Sequence, residues 1–120
     1  MKSVLLVEDE FIIRALLVEA LREAGFTCIE APTGQAALDV VTADTPLAAI
    51  IVDVGLPDMS GEKVIEAAAR HRPGTPIIRC SGRPGPVEEM IPGVPVHVYP
   101  KPYNAVELAT FVVSLMAASA

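Results

Sequence analysis

Short apolar runs alternate with longer amphipathic stretches along the whole chain. The runs "SVLLV" (3–7), "TCIEA" (27–31), "AAIIVD" (48–53), "PIIRC" (76–80) and "VPVHVY" (94–99) are short and rich in branched residues, as strands are. Between them the apolar spacing becomes helical at 11–24, 34–43, 61–71 and 104–117, with one more short stretch near 86–91. Strand and helix alternating five times predict a parallel sheet covered by helices on both faces. Right-handed crossovers in so short a chain favour the strand order 2-1-3-4-5 of flavodoxin-like folds. The expected fold is therefore an α/β sandwich of (βα)5 type with a five-stranded parallel sheet.

Two stretches depart from the simple pattern. Residues 82–95, "GRPGPVEEMIPGVP", hold four prolines and three glycines, leaving only Val87 to Ile91 free to be helical. So short a piece is too small to hold a helix without packing support, which predicts a fourth helix that is short or disordered. The segment should sit at the low-stability end of the domain. The last helix is apolar on more than one side. Leu108, Val112 and Leu115 form a stripe assigned to the sheet, while Val106, Ala109, Val113 and Met116 form a second, with Phe111 beside the first. Part of the second stripe, or Phe111, should be exposed.

Composition narrows the function classes. A chain of 120 residues that is 52% hydrophobic and 20% charged is expected to be one folded domain, residues 1–120, with no output domain. Nine basic against fifteen acidic residues argue against a nucleic-acid surface, which needs a basic patch. The start "MKSVLLVEDE" has the pattern of neither a signal peptide nor a membrane span, so a cytoplasmic location is expected. Cys28 and Cys80 are too few for a disulfide framework and read as small core residues.

In open parallel sheets, ligands bind beyond the carboxyl ends of the strands, where the strand order reverses. The first predicted strand ends in Glu8-Asp9 and the third in Asp53; the fourth ends in Ser81-Gly82, and the fifth is followed by Lys101-Pro102. Three carboxylates and one ammonium thus meet on one edge. Two carboxylates about 4 Å apart repel by about 1–4 kcal/mol. A divalent hard cation removes the conflict, and Mg²⁺ held by one or two carboxylates and waters is its usual form. A carboxylate beside Mg²⁺ and a lysine, with a hydroxyl near, has the makings of a phosphoryl acceptor. Glu10, next along, reads as an acid in the first turn of the helix.

The motifs "LLVEDE", "IIVDVGLPDMSG", "CSG" and "KPY", in this order and at these strand ends, are similar to those of response-regulator receiver domains of two-component signalling. The resemblance runs from end to end. It implies that Asp53 is the phosphoacceptor, Asp9 a direct Mg²⁺ ligand, Glu8 a ligand through water, and the carbonyl of Gly55 the third protein ligand. It further implies that Ser81 bonds the phosphoryl group, that Lys101 pairs with Asp53, and that a cis peptide precedes Pro102. The donor would be a histidine kinase or histidine phosphotransfer protein, and output would pass through a downstream protein partner or a homodimer made through the last helix. Phosphorylation would order segment 82–95 as Ser81 is drawn onto the phosphoryl group. No nucleic-acid or membrane partner and no enzyme activity beyond self-catalysed phosphorylation and dephosphorylation are implied.

Some positions depart from the family. The residue three before the lysine is often Tyr or Phe and moves inward as a switch; here it is Val98, with Tyr99 next to it on the opposite face of a strand. The receiver subgroup nicknamed FAT GUY shares the hydroxyl-Gly pair, the eroded fourth helix and the missing switch. Ser81-Gly82 and "KPY" match it, but its Phe-Ala and Tyr are absent. A haloacid-dehalogenase-type phosphatase needs a second Asp at position 55, which is Gly. A pseudo-receiver that binds partners without phosphorylation remains the alternative. His71 and His97 are isolated from the expected site.

Overall fold

The computed structural model describes residues 2–81, 88–91 and 94–119. The strands are β1 (Ser3–Val7), β2 (Thr27–Ala31), β3 (Ala49–Asp53), β4 (Ile77–Ser81), β5 (Glu88–Ile91) and β6 (Val94–Pro100). The helices are α1 (Phe11–Glu23), α2 (Gly34–Val41), α3 (Gly61–His71) and α4 (Ala105–Ser119). Along the sheet the order is β2-β1-β3-β4-β6-β5. The first five of these are mutually parallel, so the expected 2-1-3-4-5 core is present.

The near-continuous apolar runs of β1 and β3 follow from burial on both faces. Val4, Leu6, Ile51, Ile78 and Cys80 face α1 and α4, where they join Leu17, Leu21, Leu108 and Val112. Leu5, Val7, Ile50, Val52 and Ile77 face the other way, onto Ala37, Val41, Val64, Ile65 and Ala68 of α2 and α3. Ser60 starts α3 by accepting from the amide of Glu62, and Thr33 does the same for α2 with Ala36.

Residues 88–91 correct the sequence reading. The stretch near 86–91 was expected to be at most a turn of helix; Glu88–Ile91 instead form a strand antiparallel to β6, with Glu88 opposite His97 and Ile91 opposite Val94. Between Pro86 and Pro92 too few amides remain for helical bonds, whereas the open edge of β6 offers a ladder to a neighbouring segment. The rest of the expected low-stability segment, residues 82–87 and 92–93, lies outside the described residues.

The last helix also divides differently from its stripes. Leu108 and Val112 are fully buried, as expected, and so is Ala109 of the second stripe. Val106 (63%) and Val113 (42%) are the exposed members. Phe111 is half-buried, its ring 5.7 Å from His97 and 5.6 Å from Tyr99. Because α4 packs beside α1 on the same face of the sheet, its buried arc is wider than one stripe.

Candidate functional site

The carboxyl ends of β1, β3, β4 and β6 converge, and each delivers one member of an acidic pocket. Glu8 directly follows β1. Its amide donates to the carbonyl of Ala31 at 3.1 Å, which extends the pairing with β2 by one bond and turns the side chain inward. The carboxylate is 1% exposed. Its Oε2 accepts from the amide of Glu10 at 3.3 Å, while its Oε1 lies 3.7 Å from Nζ of Lys101 and, among the described residues, accepts no hydrogen bond. A buried carboxylate oxygen without a donor is costly unless something positive completes it. Asp9, one residue on, is exposed at the rim.

Asp53 ends β3 and is 6% exposed. Its Oδ1 receives the Lys101 ammonium at 2.9 Å and the Gly55 amide at 3.2 Å. Ser81, buried at the end of β4, is held in place when its carbonyl accepts the Lys101 amide at 2.7 Å. That bond joins β4 to the residue after β6, and the Lys101–Pro102 peptide that follows is cis. Gly55 lies in the loop after β3, where it bridges to Ser60.

Burial and charge push the two buried carboxyls apart. Burial, then a hydrogen bond and charge repulsion from Asp53, raise Glu8 to about 7. Burial also works against the charge of Asp53, but the Lys101 ammonium, the proton shared from Glu8 and the Gly55 amide outweigh it and hold Asp53 below the usual range. Lys101 loses some basicity to burial and regains more from Asp53 and Glu8, so it stays charged. One carboxyl raised and its neighbour lowered, beside a lysine, is the arrangement expected when like charges meet in a small buried space.

One carboxylate oxygen each from Glu8, Asp9 and Asp53 can be chosen so that all lie within 4.8 Å of one another. Three hard oxygen donors, one of them buried and orphaned, fit a divalent cation of the oxygen-loving kind. The expected residues Glu8, Asp9, Asp53, Ser81 and Lys101 are therefore brought together, and Gly55 reaches the group through its amide. Glu10 corrects the sequence reading: it is the N-cap of α1 and lies outside the first turn, and its amide holds the Glu8 carboxylate.

The remaining candidates stay away from this pocket. His71 ends α3 on the surface, and His97 meets the Phe111 ring edge-on. Cys80 is buried in the core with its thiol pushed up to about 12 by burial; Cys28 is half-buried on β2. Val98 is buried, and Tyr99 packs on Tyr103 and Phe111 on the α4 side of the sheet.

Two residues that shape the pocket were not singled out from the sequence. Asp58, exposed in the loop after β3, accepts the amides of Gly34 and Gln35 at 2.8 and 3.0 Å, tying that loop to the start of α2. Gly61 brings α3 against the end of β3 so closely that a Cβ would stand 2.5 Å from the carbonyl oxygen of Asp53 and 2.7 Å from Cα of Val54. The motif "PDMSG" carries both residues, but their partners lie on α2 and β3 and have no local sequence signal.

A doubly wound α/β domain with a buried acidic pocket and a lysine at its switch point defines the class. The chain belongs to the response regulator receiver domain family, whose profile matches residues 4–110. These are signalling domains that act as phosphoacceptors in two-component systems. Among curated relatives, the chain is 32% identical over 92 residues (77% of its length) to the probable transcriptional regulatory protein TcrX of Mycobacterium tuberculosis. It is 32% identical over 111 residues (90% of its length) to the transcriptional regulatory protein CpxR of Escherichia coli K12. It spans only 38% and 46% of those two proteins. The response regulator TrrA of Thermotoga maritima, solved in complex with Mg²⁺–BeF, is structurally similar, with a TM-score of 0.78 and 26% identity. That alignment covers 96% of this chain and 99% of the other. Among the described residues, no helix is long and apolar enough to cross a membrane.

Proposed function

We propose that Asp53 accepts a phosphoryl group from a phosphohistidine on a histidine kinase or phosphotransfer protein. Mg²⁺ would be held by Asp9, Asp53 and the carbonyl of Gly55, with Glu8 acting through water. One observation carries this reading: an ionised, buried Asp53 2.9 Å from Lys101, within a set of three converging carboxylates.

A carboxylate oxygen of Asp53 forms the new P–O bond as the donor's N–P bond breaks, and the imidazole nitrogen leaves with the electron pair. Mg²⁺, when bound, neutralises the carboxylates and the transferring oxygens. Lys101 keeps Asp53 ionised before transfer and faces the phosphoryl oxygens afterwards. The Ser81 hydroxyl donates to one of those oxygens.

Beside the pocket lies a cleft of about 580 Å³ whose lining includes Glu10, Ile13, Leu16, Tyr103 and Lys101, the ion-pair partner of Asp53. Phe11 and Ile12 are exposed beside it, which suits docking of a protein rather than a small molecule. Output is by protein contact through the last helix. Phe111 is half-buried against His97 and Tyr99, and among the described residues of that helix Val106 and Val113 are the exposed large apolar positions.

Incubation with a small-molecule phosphodonor and Mg²⁺ tests the reading. Wild type should gain the mass of one phosphoryl group and Asp53→Ala should not. No gain in wild type would leave a binding module that works without phosphorylation. For the output surface, Val113→Asp should leave phosphorylation intact while weakening self-association or partner binding. Light scattering that shows only monomers, phosphorylated or not, removes the homodimer and leaves a heterologous partner.

A further inference from the structure

The carbonyl of Glu8 stands between two regular hydrogen-bond systems. It follows the last ladder residue of β1, and the first bond of α1 is made further on, from the Arg14 amide to the carbonyl of Glu10 at 2.9 Å. The Glu8 carbonyl is instead taken by a side chain. Nη1 of Arg14 donates to it at 2.9 Å, while Nε of the same guanidinium donates to Oε1 of Glu30 at 3.0 Å.

Arg14 is thus a bracket between three elements. It projects from the first turn of α1, grips the turn that carries Glu8 and Asp9, and is anchored to β2 through Glu30. Its side chain is only 14% exposed, and the ring of Phe11 lies 5.7 Å from the guanidinium carbon. Phe11 narrows its freedom further. A planar fork with two fixed donors transmits orientation in a way that a point charge on a flexible stem does not. A carboxylate and a carbonyl held by the same fork cannot move independently. The carbonyl belongs to the residue whose side chain enters the pocket, and the next residue is Asp9.

We propose that Arg14 is a positioning residue for the acidic pair, fixing the Glu8–Asp9 turn so that both carboxylates face a divalent cation. This rests on the cation-assisted reading of the pocket and deepens it: the cation's affinity is set in part by a side chain that never touches it. Groups behind metal ligands commonly change affinity by about 10- to 100-fold when removed.

The test uses two independent readouts on the intact chain. The first is Mg²⁺ affinity by titration calorimetry at fixed pH. The second, made without metal, is hydrogen exchange at the amides of Asp9 and Glu10. Arg14→Ala should bind Mg²⁺ about 10-fold more weakly and exchange faster at those two amides, with strand β3 unchanged. Arg14→Lys, which can reach one acceptor but not hold both, should recover folding stability fully and affinity only in part. Glu30→Gln keeps an acceptor and should lose less affinity than Arg14→Ala; this variant keeps the test open should Arg14→Ala fold poorly. A lower melting temperature in Arg14→Ala with wild-type affinity and wild-type exchange at Asp9 and Glu10 overturns the proposal. Wild type that binds no Mg²⁺ overturns the metal reading instead, and the exchange data then decide whether Arg14 fixes the turn.

Discussion

Lys101 and Asp53 meet at 2.9 Å although they are brought by different strands, and Glu8 shares the same ammonium at 3.7 Å. Among the described residues, the lysine is therefore the one positive group facing the two buried carboxyls. Lys101→Ala should lower the thermal midpoint at neutral pH, and added Mg²⁺ should restore part of it, because either cation relieves the same repulsion. Phosphorylation by a small donor should slow by about 100-fold, the usual effect of losing one charge-stabilising group. Differential scanning with and without Mg²⁺, together with mass spectrometry, checks both.

Glu8 sets a pH dependence whose sign follows from its raised value of about 7. In the unfolded chain it titrates near 4.5, so between those values the folded state binds the extra proton. Stability from this group is complete below about 4.5 and is lost as pH rises through about 7. Metal-free protein should melt at a higher temperature at pH 5.5 than at pH 7.5, and Glu8→Gln should flatten that slope. Asp53, lowered, acts oppositely: its contribution is present above the usual carboxylate range and is lost as pH falls through its lowered value. Mg²⁺ competes with the proton on Glu8, so its affinity should fall as pH drops below about 7. Calorimetry across that range measures it.

Gly61 allows α3 to touch the backbone of Asp53. Gly61→Ala places a methyl group against main-chain atoms that cannot rotate away. The expected loss is about 1–3 kcal/mol, with a shift of the loop that carries Gly55. Denaturant unfolding measures the first effect, and chemical shifts of residues 53–56 report the second.

Leu108 and Val106 sit two residues apart on α4 with opposite surroundings, fully buried and 63% exposed. Leu108→Ala should cost about 2–5 kcal/mol, and Val106→Ala less than about 0.5 kcal/mol. Chemical denaturation of the two variants separates the core face of α4 from its outer face.

The alternation of five apolar runs with helical spacing was enough to place β1, β2, β3, β4 and β6 within a residue or so; β1, β3 and β4, buried on both faces, leave the clearest apolar signal. The pocket residues Glu8, Asp9, Asp53, Ser81 and Lys101 were legible for a related reason. Each sits at a strand's carboxyl end, and a parallel sheet brings those ends to one edge whatever the details of packing. Strand β5 was not legible, since its partner is the edge of β6 and the proline-rich text around it describes only what it cannot be. The orientation of Phe111 was hidden likewise, because His97 and Tyr99 cover it from another element.

The chain's own text, then, determined the sheet order and the chemical identity of the pocket, both of which depend on local periodicity and on strand ends. Tertiary structure alone decided how that pocket is held. Arg14 reaches Glu8 and Glu30, Asp58 reaches Gly34 and Gln35, and Gly61 lies against Asp53. Several of these contacts join residues 16 to 24 positions apart. The physical reason is that a hydrogen bond or a close approach between elements depends on distance in space, for which a one-dimensional pattern of apolar and polar positions carries no term.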